Sequence, residues 1–70
     1  MNTSEFIRRA RKYSKLNKLE FNYDRRQGKG SHGRVFVGEL LTTVKSSNKQ
    51  IGKGLLHKML RDLKIDAGDF

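Results

Sequence analysis

The sequence contains no cysteine, only two histidines and few acidic side chains for its length. Without cysteine there is no disulfide framework and no thiolate metal site, which fits a reducing compartment. His32 and His57 are too few for a zinc site of the usual histidine and cysteine type. The sparse carboxylates form no cluster of the kind a Mg²⁺ nuclease needs, and Glu20 and Asp24 read as solvated on one strand face. Nucleotide-triphosphate chemistry is disfavoured as well. No strand is followed by a glycine-rich loop and a helix with a Walker lysine and its adjacent Ser or Thr. Nor does any apolar run reach the length of a membrane helix or signal-peptide core, so the chain reads as cytoplasmic and complete. Seventy residues make one domain, residues 1–70. At that size folding hides only roughly 60% of the surface of the unfolded chain, enough for one small core.

What the chain has in excess is positive charge. Sixteen Lys and Arg face seven Asp and Glu, a formal net charge of +9. Residues 1–30 hold nine cations and three anions, net +6, and residues 31–70 hold seven and four, net +3. Such a density favours a polyanionic partner, either nucleic acid or an acidic protein. The cations alternate with an ordered apolar pattern, which argues for a folded domain rather than a basic tail.

Residues 3–18, TSEFIRRARKYSKLNK, open with capping residues Thr3 and Ser4 and carry Glu5 in the first turn, as a helix start prefers. At the helical period Phe6, Ile7, Ala10 and Tyr13 share one sector, and Arg8, Arg9, Arg11, Lys12, Lys15 and Lys18 fall on the other. Residues 19–24, LEFNYD, alternate with period two, placing Leu19, Phe21 and Tyr23 on a buried strand face. RVFV at 34–37 reads as a second strand, Gly38 and Glu39 as a tight turn, and LLTTV at 40–44 as a third strand. Residues 45–52 form a polar connector. In residues 53–65 the stripe Leu55, Leu56, Met59, Leu60 and Leu63 marks a second helix, and residues 66–70 read as a frayed end. Three sequential strands with short connections make an antiparallel meander, and two one-sided helices need its apolar face. The expectation is an α+β domain, helix-strand-strand-strand-helix, with both helices covering one face of a three-stranded antiparallel sheet.

Between the first two strands lies the loop RRQGKGSHG, residues 25–33. Its glycines, Gly28 and Gly30 among them, let backbone amides approach an anion closely, and Arg25, Arg26, Lys29 and Arg34 surround His32 in sequence. A phosphate fits that setting. The plainer reading is a basic loop with an incidental histidine. His57, by contrast, falls with Lys58, Arg61 and Lys64 away from the apolar stripe and is read as a surface residue without a role.

If the loop acts on RNA, its chemistry can be specified. The ribose 2′-OH loses a proton as it attacks the adjacent phosphorus, the leaving 5′-oxygen gains one, and the phosphorane charge needs stabilising. An imidazole suits the proton transfers and a Lys or Arg the charge, with no metal required. One histidine cannot readily serve as acid and base at once, so Lys29, Ser31, Tyr23 or water would assist. Tyr13, Tyr23 and Phe36 read as core or edge residues rather than as platforms for stacking bases.

Gly30, Ser31 and His32 at the start of a strand, in a basic domain of this length, resemble the HicA family of bacterial toxins. GLLHKML at 54–60 is similar to that family's second helix, with Gly54 and Leu55 at its start and Met59 and Leu60 as its apolar pair. The resemblance covers about residues 4 to 65. It implies a double-stranded-RNA-binding-domain-like fold, mRNA interferase activity depending on His32, and neutralisation by a HicB-type antitoxin covering the His32 loop. Gly33 and the stretch KLNKLEF depart from the family pattern. The expected activity is a metal-independent endoribonuclease without cofactor, with His32 catalytic and Lys29, Ser31, Arg34, Arg25, Arg26, Gly28 and Gly30 contacting RNA phosphates. Two other readings use the same charge: a non-catalytic RNA-binding module of double-stranded-RNA-binding type, and a small DNA-binding partner of a regulator.

Overall fold

The computed structural model describes residues 1–25, 32–45 and 50–70. Its elements run α1 (Thr3–Leu16), β1 (Phe21–Asp24), β2 (His32–Val37), β3 (Leu40–Lys45), α2 (Lys53–Asp62) and a 3₁₀ turn, Ala67–Asp69. The three strands form one antiparallel sheet in the order β1-β2-β3. This is the helix, three antiparallel strands, helix arrangement that the apolar periodicity calls for.

Helix α1 starts one residue earlier than its Thr and Ser suggest. Asn2 is the N-cap, and its side-chain oxygen accepts from the Glu5 amide at 2.9 Å. Thr3 is thereby released for tertiary work: its buried hydroxyl donates to the Lys45 carbonyl at 2.6 Å, fastening α1 to the end of β3. A second tie at this end pairs Asn2 with Gln50.

Both helices stop short of the lengths their patterns suggest, for a common reason. The Leu19 amide donates to the Ser14 carbonyl and the Lys18 amide to that of Lys15, with Lys18 at φ 56°. Ile65 and Lys64 donate in the same way to Leu60 and Arg61, with Lys64 at φ 53°. These are Schellman closures in which a lysine occupies the left-handed position that usually takes glycine. Because the chain reverses there, Leu19 does not extend the buried face of β1 and is 43% exposed. Ile65, by contrast, turns back into the core.

The core lies between the sheet and the two helices. Phe6 and Ala10 of α1, Val35, Val37 and Val44 of the sheet, and Met59 and Leu60 of α2 are all buried, as are Leu63 and Ile65 just after it. Leu55 lies outside this cluster and is exposed, so the α2 stripe is narrower than the leucines suggest. Residues 66–70 are not frayed. Asp66 caps the 3₁₀ turn by accepting from the Gly68 amide at 2.9 Å, and the Phe70 ring packs on Phe6 with centroids 5.0 Å apart. Phe70→Ala is therefore expected to cost about 1–3 kcal/mol of stability in urea denaturation, through lost apolar burial and ring packing. A midpoint equal to that of the parent chain would mean that the ring contributes nothing.

Candidate functional site

The alternation of β2 divides its residues between two environments. Gly33, Val35 and Val37 are buried toward the helices, whereas His32 and Arg34 are exposed and Phe36 half-buried on the outer face. Strand β3 continues the division, with Thr42 and Val44 buried and Leu41, Thr43 and Lys45 exposed. No helix covers the outer face among the described residues. The elements meeting the sheet are α1 against β1 and β2 and α2 against β3, and their buried residues join the inner valines.

Register places the polar residues of that face. The Gly38–Glu39 connection holds two residues, with Gly38 at φ 61° and its amide donating to the Glu20 carbonyl at 2.8 Å. A positive φ at the first central position fits a type II′ hairpin. That turn sets Val37 opposite Leu40, Arg34 opposite Thr43 and His32 opposite Lys45. On the other side Asp24 is the register partner of Arg34. Directly opposed residues of an antiparallel pair have Cβ atoms about 5 Å apart, so the imidazole and the Lys45 ammonium share one neighbourhood. Arg34 lies two residues along the same face.

His32 therefore belongs to a strand and not to the preceding loop. Its backbone is fixed by pairing, which suits a group that must hold a position. The predicted site residues His32, Arg34 and Arg25 are all exposed, with Arg25 directly after β1. Arg26, Gly28, Lys29, Gly30 and Ser31 lie outside the described residues. Lys45 was read as part of the connector and is the residue that the sequence reasoning missed. The signal was present, because a two-residue turn at 38–39 makes every facing pair sum to 77, and 32 then faces 45.

Gly33 explains the glycine after the histidine. A Cβ there would lie 2.9 Å from the Asp24 carbonyl oxygen and 3.1 Å from the Tyr23 ring, so the end of β1 passes closely beneath it. Gly33→Ala is expected to destabilise by about 1–3 kcal/mol through overpacking. It should also disturb the His32 amide and imidazole resonances in NMR more than those of His57. Unchanged stability and spectra would show that β1 gives way without consequence.

A second group of cations belongs to α1, which packs on the inner side of the sheet. Arg8, Arg9, Arg11, Lys12, Lys15 and Lys18 are all exposed on or beside α1. Glu5 pairs with Arg8 at 3.4 Å and Arg9 at 3.2 Å, and Arg11 stacks over the Phe21 ring at 5.4 Å. His57 is exposed, as its position off the apolar stripe implies. Among the described residues no group of three or more His, Cys, Asp or Glu is placed to hold a metal ion, and no helix is long and apolar enough to cross a membrane. No protein-family model matches the chain, and no curated protein or solved structure does so at a significant level.

Proposed function

We propose that the protein is a metal-independent endoribonuclease of the HicA type, a toxin that cuts mRNA in the cytoplasm and is held in check by an acidic HicB-type antitoxin. The observation that carries this reading is the juxtaposition on the open sheet face of His32 opposite Lys45 with Arg34 beside them. Cleavage needs a proton shuttle and a fixed positive charge at one phosphodiester. His32 takes the 2′-OH proton or returns one to the 5′-oxygen, while Lys45 and Arg34 stabilise the charge on the phosphorane. Water and the sequence neighbours Lys29 and Ser31 are the candidates for the second proton-transfer group, whereas Tyr23 pairs with Val35 and packs on the core, on the side of the sheet away from His32. Arg25 and Arg26, with the cationic side of α1, supply phosphate contacts that would make binding fall with salt.

An inhibitory interface of ordinary size takes about 800 Å² from each partner. Against a total accessible surface of 5346 Å², such a partner would cover the sheet face outright. The test is incubation of the purified protein with RNA in EDTA, followed by mapping of the ends. Metal-independent cutting with 2′,3′-cyclic phosphate ends is expected. RNA that is bound yet left intact would instead favour the non-catalytic RNA-binding module.

A further inference from the structure

The outer face of the sheet changes character along β2. At its beginning stand His32, Arg34 and, across the register, Lys45. Four residues from His32, about 13 Å at the rise of a strand, the same face carries Phe36. Its register partners are Asn22 on β1 and Leu41 on β3. The flanking valines 35 and 37 point into the core, so Phe36 is an aromatic ring on the side of the sheet away from the helices. Leu41 beside it is 43% exposed. Adjoining the ring is an open recess of about 230 Å³ lined by Glu20, Phe21, Asn22, Phe36 and Gly38. The recess joins aromatic surface to two hydrogen-bonding side chains. The Asn22 amide both donates and accepts, and an ionised Glu20 carboxylate only accepts.

We infer that this recess is a nucleobase pocket: one unstacked base of a single-stranded RNA lies against Phe36 while Asn22 and Glu20 bond to its edge. The inference rests on the ribonuclease reading and extends it to the substrate class and its sequence preference. Single-stranded RNA is recognised by splaying bases onto aromatic side chains and hydrogen-bonding their edges. A double helix offers no such base. Arg34 lies between the pocket and His32, with Lys45 across from His32, so the connecting phosphates run over Arg34 toward Lys45. A carboxylate in the pocket selects a base that donates from an exocyclic amine, because uracil presents carbonyl oxygens where the amine would be. The preferred base is therefore an amino-bearing one, held a short stretch of strand from the scissile phosphate.

The experiment uses the intact chain and 2′-O-methyl RNA oligomers, which cannot be cleaved through the 2′-oxygen. One position carries 2-aminopurine or, in turn, each natural base. The parent protein should quench 2-aminopurine fluorescence and bind the uracil oligomer least tightly. Phe36→Leu, which keeps an apolar side chain on the outer face, should weaken binding by about tenfold and abolish the quenching, while Phe36→Tyr retains both. Glu20→Gln should level the discrimination against uracil. Circular dichroism establishes that each variant is folded. Equal binding and equal quenching by folded Phe36→Leu would overturn the pocket, even if the parent chain cuts RNA. Quenching that depends on Phe36 in a protein that cuts nothing would uphold the pocket and sink the ribonuclease reading.

Discussion

His32→Ala is expected to abolish RNA cleavage, by a factor of about 10² to 10⁴ if the imidazole acts as general acid or base. The folded chain should change little. His32 stands at the start of β2 on the outer face and contributes nothing to the apolar core. Such surface replacements usually move stability by less than about 1 kcal/mol. Lys45 and Arg34 stay on the same face, because the hairpin turn and not the imidazole sets their register. The variant should thus still bind RNA, with the same salt dependence, and fail only to cut it. The measurement is a single-turnover cleavage assay run beside a gel-shift titration. A folded His32→Ala protein that cuts at the parent rate would remove the proton-transfer role from His32. Equal binding and no cutting by either protein would transfer the chain to the class of RNA-binding modules.

Phe6→Ala is expected to have the largest effect on folding. Phe6 is 0% exposed, belongs to the buried cluster with the sheet valines and packs on the Phe70 ring, so truncation opens a void in the core formed by the described residues. Removing a buried phenylalanine costs about 3–5 kcal/mol. A domain this small has roughly 4–10 kcal/mol to lose, taking about 0.05–0.15 kcal/mol per residue. A large fraction of the variant should be unfolded at 37 °C, seen as lost helical ellipticity and a urea transition moved to low denaturant. Phe6→Leu, which keeps most of the volume, should recover much of the difference. An Ala variant melting within a few degrees of the parent would mean that the core closes over the missing ring.

The order of elements was legible because it depends on periodicity alone. Phe6 and Ala10 recur at helical spacing, Val35 and Val37 at strand spacing, and both patterns survive in the folded chain. Boundaries were less legible, since they depend on conformations that the sequence does not advertise. A glycine at position 18 or 64 would have marked each helix end, whereas a lysine in the left-handed region marks nothing, and the predicted helices overran it. The C-terminal turn was missed because its anchor is a ring contact between residues 6 and 70, invisible to any local pattern. For the candidate site, the sequence supplied His32 and Arg34 but not the face they share. Phe36 reads from the sequence as a core or edge residue, and the pleat of β2 places it on the opposite side from Val35 and Val37.

The strict division of β2 into an inward and an outward row also bears on how such a domain can diverge. Residues 33, 35 and 37 answer to the requirement that the chain fold, and mutations among them are purged whatever the protein acts upon. The exposed residues 32 and 34 carry almost none of that burden, and the half-buried residue 36 carries less of it than its neighbours. They are free to drift, or to be driven, under selection imposed by whatever meets the open face. Neighbouring positions only one residue apart should then evolve at different tempos, giving a lineage a stable scaffold on which a new specificity can arise without first being rescued from unfolding.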